Sequence, residues 1–279
     1  MTEIGIIDIR ELIKAVKSKY GYDFSDFALT SFKHKLEKII IKNNLSNVGS
    51  LIKKVNNNPE FFDIFLHEIS VPSTEMFRDP SLWRWLRDEF FTKASEKTLS
   101  RFRIWVANSV SGGELYSLAI LLKEIDILHK VQIISSSYSN KSIEYIKKGR
   151  YDLKKIELSL ENYKRFQGTK DFSNYYRLDR YYAFRDPSLI KNVEFKKQNI
   201  NFDNSPTNVK LILFRNSLIY VNPSLQERTL QSMYEKLSAA GLLIVGTREI
   251  VKLPNNDNAF EAANKSEGVF KKKLSLKQQ

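Results

Sequence analysis

The chain has no cysteine among its 279 residues, which removes disulfide scaffolds and thiolate metal sites and suits a cytoplasmic setting. Histidine is nearly as scarce: His34, His67 and His129 are scattered without ligand spacing, so no metal centre is expected. Long apolar runs are missing too. The best, Leu211 to Val221, is broken by Arg215-Asn216 and is too short to span a bilayer, and Met1-Thr2-Glu3 opens no signal-like segment, so neither export nor membrane insertion is expected. No glycine loop ends in Lys-Ser/Thr, which argues against a nucleoside triphosphatase. Acid is in short supply, with 32 Asp+Glu against 45 Lys+Arg and a formal charge of +13. Such a balance draws an acidic partner, whether a glutamate-rich helix, nucleic acid or an anionic membrane, but lysines spread over the whole surface explain it equally well.

What is present suffices for a core, at 42% hydrophobic residues. Residues 1–70 read as a small helical domain, with segments near Ile7–Lys19, Asp26–Lys42, Val48–Val55 and Pro59–Ile69. Phe32, Leu36, Ile39 and Ile40 recur at three- and four-residue spacing, while Lys33, Lys35, Lys38 and Lys42 lie largely off that apolar face. Phe24-Ser25-Asp26 offers an N-cap, and Asn58-Pro59 a break followed by a favoured helix start. Pro72 marks a linker to a second domain over 71–279. There, short apolar strands at Ile104–Ala107, Val131–Ser135, Val193–Phe195, Leu211–Phe214, Leu242–Val245 and Val269–Lys272 alternate with helices at Glu114–Ile125, Asn140–Lys148 and Ser224–Leu237. That alternation predicts an α/β fold with a mainly parallel sheet covered on both faces. Residues 160–192 are polar and aromatic, fit neither period, and read as an insert.

The most informative stretch is Ser111-Gly112-Gly113-Glu114-Leu115-Tyr116-Ser117, directly after the apolar run Phe102 to Ala107. Strand, glycine turn and helix is how α/β folds seat a nucleotide-like ligand, although two glycines in a βα turn are also ordinary turn chemistry. Upstream stands Val71-Pro72-Ser73-Thr74-Glu75-Met76-Phe77-Arg78-Asp79. Downstream, Phe214-Arg215-Asn216-Ser217-Leu218-Ile219-Tyr220 closes an apolar strand at the carboxyl edge where open α/β sheets bind ligands. In order and spacing the three segments resemble the CheR-type methyltransferases, which esterify chemoreceptor glutamates using S-adenosylmethionine, and the resemblance covers nearly the whole chain.

The resemblance implies a doubly wound, Rossmann-like methyltransferase domain, preceded by a small all-α domain and carrying a small inserted antiparallel subdomain. It also implies roles. Arg78, with Thr74 beside it, would lie at the methionine end of the cofactor near the transferred methyl. Gly112 would form the turn, Glu114 would accept from the cofactor's ammonium, Asn199 would meet the adenine edge, Arg215 and Asn216 would border the cofactor, and Tyr220 would stand near the acceptor. Local sequence offers plainer readings: a surface ion pair of Arg78 with Glu75 or Asp79, a helix cap at Thr74, a dipole partner in Glu114, a turn at Asn199, an interior aromatic in Tyr220. The sequence departs from the family at Gly113, where a glutamate is usual, and at Leu115, where proline is usual, which predicts a looser turn. Counting back from Gly149-Arg150-Tyr151, Ser137 occupies the ribose-binding aspartate's place, and a serine cannot offer a diol a charged bidentate acceptor. Asp152, past the next helix, is not expected to substitute. Between Tyr175 and Phe195 the insert lacks the glycine of the family's receptor-tail docking loop.

These residues point to a methyltransferase acting on glutamate side chains of a chemoreceptor or related acidic protein and releasing S-adenosylhomocysteine. Arg78 and Tyr220 would aim the acceptor carboxylate, and Lys33, Lys35, Lys38 and Lys42 would dock the substrate helix. A catalytically impaired relative, kept as a binding or regulatory module, is the alternative that Ser137 and Gly113 favour. A nucleic-acid methyltransferase ranks last, because no Asn/Asp-Pro-Pro-Tyr/Phe segment is present.

Overall fold

A computed structural model describes residues 4–70, 74–94, 102–199, 204–253 and 259–273. Helices α1 (Ile6–Tyr20), α2 (Leu29–Lys42), α3 (Val48–Asn57) and α4 (Pro59–Ile69) enclose their own core, in which Phe32, Leu36 and Ile39 of α2 meet Phe61, Phe65 and Leu66 of α4. Helix α4 begins as its sequence dictates: the Asn58 side chain accepts from the Phe61 N–H and Pro59 takes the first helical position, where no N–H is needed. Helix α2 does not. It starts at Leu29, because Asp26 is engaged elsewhere: its carboxylate accepts from Asn222 Nδ2 at 2.8 Å and pairs with Arg228, and Phe27 forms a β-bridge with Val221. The expected cap is therefore a clasp between the helical domain and the rest of the chain. The Pro72 linker lies outside the described residues.

The remainder is α/β. Strands β1 (Arg103–Val106), β2 (Gln132–Ser137), β6 (Glu194–Lys197), β7 (Val209–Leu213), β8 (Leu237–Ile244), β9 (Phe260–Asn264) and β10 (Val269–Lys272) form one sheet in the order β6-β2-β1-β7-β8-β10-β9. Neighbours are parallel except at β10, which runs antiparallel to β8 and β9. Because alternate strand residues face opposite ways, Ile104, Val106, Leu211 and Leu213 enter one core while Trp105, Ala107, Ile212 and Phe214 enter the other. Helix α6 (Gly113–Glu124) is buried over Leu115 to Leu122, α7 (Asn140–Lys147) follows β2, and α9 (Pro223–Lys236) packs on the opposite face.

Two helical stretches escaped the sequence reading. Helix α5 (Pro80–Trp85) opens with proline at its first position and continues into a π-helical turn over Leu86–Phe91. Helix α8 (Leu153–Phe166) runs into the expected insert, since two of its inward positions are Ser159 and Asn162, which hide the apolar period. A separate antiparallel sheet, β3 (Arg150–Tyr151), β5 (Ala183–Arg185) and β4 (Tyr176–Leu178), completes the molecule. No described helix is long and apolar enough to cross a membrane.

Candidate active site

Strands β1, β2 and β7 end on one edge, and the loops that leave them carry most of the predicted site residues. After β1, Asn108 (φ 52°) and Gly112 (φ 77°) both adopt the left-handed conformation, folding the loop back before α6 begins. Gly113 comes next, and a Cβ placed on it would stand 2.5 Å from the Thr74 carbonyl oxygen and 2.9 Å from Thr74 Oγ1. The turn is thus tighter than its departures from the family pattern predicted, because Gly113 lets the Thr74 backbone lie directly on it.

The segment from Thr74 to Asp79 is held at several backbone groups by polar side chains. The Thr74 N–H donates to Ser111 Oγ (3.3 Å) and its carbonyl accepts from Tyr151 (2.8 Å). The Met76 N–H donates to Ser159 Oγ (3.0 Å), its carbonyl accepts from Asn162 (3.2 Å), and the Phe77 N–H donates to Ser117 Oγ (2.7 Å). The buried polar residues of α8 therefore serve this segment. Phe77 (φ 53°) and Asp79 (φ 56°) flank Arg78 in the left-handed region, a strained backbone that persists only where its surroundings fix it.

Arg215, just past β7, gathers these pieces. Its side chain is fully buried; Nη1 donates to Glu114 Oε1 (2.9 Å) and to the Arg78 carbonyl (3.3 Å), and Nη2 pairs with Asp79. Burial pushes the Glu114 carboxyl up, against the pull of Arg215 and Arg78. The Arg78 side chain is itself 40% exposed and lies 3.7 Å from Glu75, the surface pairing that its local sequence allowed. Asn216 (φ 54°) donates its N–H to Glu249 Oε2 at 2.8 Å. Sequence reasoning missed Glu249, a buried carboxylate that also accepts from the N–H groups of Leu218 (2.7 Å), Ile219 (3.3 Å) and Gly246 (2.6 Å). Its only signal was a lone acid after β8.

Ser137 ends β2, is 1% exposed, and its carbonyl accepts from the Gln198 N–H at 2.8 Å. Asp152 is not available in its stead, because its carboxylate caps α8 by accepting from the Lys154 N–H at 2.9 Å. Asn199 lies half-buried just past β6, the strand beside β2. Of the four candidate docking lysines, Lys38 is exposed, Lys33 is half-buried, and Lys42 is paired with Glu68 at 2.7 Å. Lys35 departs from the docking expectation. It turns inward, donating to the carbonyls of Ile69 (2.7 Å) and Ser70 (3.0 Å), with its ammonium 4.6 Å from the centre of the Tyr220 ring. Burial, aided by Lys38, pulls its pKa down to about 8.

Two cavities follow from this arrangement. One is lined by Thr74, Ser111, Gly112, Glu114 and Arg215; the other, more apolar, lies between the helical domain and the sheet edge and is lined by Phe24, Tyr138, Phe214, Lys35 and Tyr220. They share Asn108 and Ser217. Around the strand ends, Asn108 Oδ1, Ser137 Oγ, Arg215 Nε and Asn216 Nδ2 are buried and have no hydrogen-bond partner among the described residues. Buried polar atoms are ordinarily paired, so this set of donors and acceptors suits a ligand that is polar along its length. A zwitterionic amino-acid end joined to a ribose diol is such a ligand. Among the described residues, no group of three or more His, Asp or Glu side chains is placed to hold a metal ion.

Comparison with known proteins places the chain in a family. Residues 7–70 match the model of the CheR methyltransferase all-alpha domain, and residues 72–269 match that of the CheR methyltransferase SAM-binding domain. The candidate methyltransferase Cher3 of Pseudomonas putida is 32% identical over 266 residues, covering 95% of this chain and 97% of its own. A chemotaxis protein methyltransferase of Vibrio cholerae is 25% identical over 282 residues, covering 98% of this chain and 99% of its own, and one of Listeria monocytogenes is 22% identical over 241 residues, covering 86% and 89%. The chain belongs to the CheR family of S-adenosylmethionine-binding methyltransferases.

Proposed function

We propose that this methyltransferase esterifies glutamate side chains on an acidic helix of a chemoreceptor or related protein. The observation that carries the proposal is the meeting of the two cavities at Asn108 and Ser217, one with the Glu114 carboxylate paired to the buried Arg215 and the other with Lys35 and Tyr220. S-adenosylmethionine supplies a cationic methyl-sulfonium that a carboxylate displaces in line, so positioning dominates the catalysis. A glutamate carboxylate is ionised at neutral pH and needs no general base. The protein's task is to strip water from that carboxylate and aim it. The apolar walls Phe24, Tyr138 and Phe214 exclude water, while the Lys35 ammonium and the Tyr220 ring stand where an incoming anion would be steered.

On the cofactor side, Glu114 would accept from the amino-acid ammonium, with Arg215 fixing the carboxylate's orientation, and Ser137 would meet the ribose with a single hydroxyl. Arg78, whose side chain is 40% exposed, would pair with the carboxylate end. Ser137 also supports the alternative reading, a relative that binds cofactor weakly and serves as a regulatory module. Methyl transfer to a purified chemoreceptor cytoplasmic fragment separates the two. The enzyme reading predicts incorporated label that mild base releases as methanol, the behaviour of a glutamyl methyl ester. Cofactor binding without base-labile label on any acidic protein substrate would support the regulatory module instead.

A further inference from the structure

Arg185, the last residue of β5, is 1% exposed, and among the described residues no carboxylate pairs with it. Three backbone carbonyls accept from its Nε and Nη2 instead, while Nη1 is buried without a hydrogen-bond partner among the described residues. Nε donates to the Gly149 carbonyl (3.2 Å), and Nη2 donates to the carbonyls of Ser111 (2.7 Å) and Arg150 (3.5 Å). The rings of Tyr116 and Tyr151 lie against the guanidinium, with centroids 4.2 and 4.5 Å from its central carbon. Two aromatic contacts and a bidentate grip on Gly149 and Ser111 leave the guanidinium plane little freedom. Burying a cation is costly unless it is hydrogen-bonded or paired, and here the carbonyl oxygens and the two ring faces supply that compensation.

The short bond to Ser111 shows what they accomplish. The Ser111–Gly112 peptide is trans, and in a planar trans peptide the carbonyl and the following N–H point in opposite directions. Fixing the Ser111 carbonyl on Arg185 therefore directs the Gly112 N–H away from Arg185. That N–H has no acceptor among the described residues, and both Ser111 and Gly112 line the cleft that contains Glu114 and Arg215. Left to itself, a glycine turn with φ of 77° at Gly112 has several peptide orientations open to it.

We propose that Arg185 is the positioning residue of the cofactor loop, holding the Ser111 carbonyl so that the Gly112 N–H is presented to the ligand. The loop is thus set by a residue 74 positions away in sequence, supplied by the small antiparallel sheet. The proposal rests on the reading of this cleft as the cofactor site. Its test uses the full chain labelled with nitrogen-15, as wild type and as Arg185→Met and Arg185→Lys, with two readouts: the Gly112 amide resonance without ligand, and the affinity for S-adenosylhomocysteine. Arg185→Met is expected to move the Gly112 resonance and to weaken binding at least tenfold at a temperature where its circular dichroism is native. Arg185→Lys, which keeps a charged donor, is expected to restore much of both. Arg185→Gln is read in the same way as Arg185→Met should the latter not fold. A loss of thermal stability with the Gly112 resonance and the affinity unchanged would make Arg185 a core brace only and overturn the proposal. Wild-type protein that fails to bind S-adenosylhomocysteine would count against the cofactor reading, while the Gly112 resonance would still decide whether Arg185 sets the turn.

Discussion

Replacing Gly113 by alanine opposes two effects whose sizes can be compared. Gly113 is not among the residues with positive φ, so the backbone accepts alanine, and removing glycine's freedom from the unfolded chain would by itself stabilise by about 0.4–1 kcal/mol. Against this, the new methyl would lie 2.5 Å from the Thr74 carbonyl oxygen, when carbon and oxygen ordinarily approach to roughly 3.3 Å, so about 0.8 Å of movement is required. Thr74 cannot yield alone, since its carbonyl accepts from Tyr151 and the N–H groups of Met76 and Phe77, two and three residues on, are held by Ser159 and Ser117. Overpacking of this kind costs about 1–3 kcal/mol, which outweighs the entropic gain and leaves a net loss of roughly 1–2 kcal/mol. For a protein of this size that lowers Tm by roughly 2–8 °C. Because the movement separates the glycine turn from the strained Phe77–Asp79 backbone, S-adenosylhomocysteine affinity should fall at least tenfold. Differential scanning fluorimetry and calorimetric titration read the two effects. A raised Tm with unchanged affinity would mean that the close approach of Thr74 imposes nothing on the turn.

Four further substitutions test separate parts of the site. Ser137→Asp should lower the stability of the ligand-free protein, by placing a carboxylate where the hydroxyl has no partner, yet raise cofactor affinity by about tenfold or more through a charge-assisted bond; titration showing no gain would place the ribose elsewhere. Arg78→Ala should abolish methyl transfer while shifting stability by no more than about 0.5 kcal/mol, because its ion pair with Glu75 is long and open to solvent on the Arg78 side; undiminished transfer would reduce Arg78 to that surface pair. Glu249→Gln should leave two backbone N–H groups facing an amide nitrogen, at about 1–3 kcal/mol each, with a fall in urea midpoint that a dispensable carboxylate would not give. For Lys35 the sign follows from a folded-state pKa near 8, below its ordinary 10.5: between those values the unfolded chain binds the extra proton, so stability rises with pH. Wild type should therefore gain on Lys35→Met between pH 8 and 10.5 in urea denaturation, and parallel curves would contradict the burial of its ammonium.

The sequence made the sheet legible where strands are apolar on both faces, as in β1 and β7, and made α4 legible through Asn58-Pro59. It also located the three segments that meet at the site. It concealed residues whose role depends on distant partners. Asp26 reads as a cap until Asn222 and Arg228 are placed beside it, and Lys35 reads as one more surface lysine until the carbonyls of Ile69 and Ser70 are. Helix α8 was hidden because Ser159 and Asn162, polar in sequence, are interior in order to hold Met76. Gly113 was read as a lost glutamate, when its lack of a side chain is what the Thr74 contact demands. Strand β9, with its middle residues exposed, gave no apolar run to detect.

On the proposed function, the carboxyl edge of this sheet seats S-adenosylmethionine between the Thr74–Arg78 segment, the Gly112–Glu114 turn and Arg215–Asn216. A crystal structure of the protein grown with S-adenosylhomocysteine tests it most directly. The amino-acid end of the ligand is expected against Glu114 and the Gly112 N–H, and the ribose at Ser137. Ligand bound elsewhere on the molecule, or none bound from millimolar solution, would contradict it.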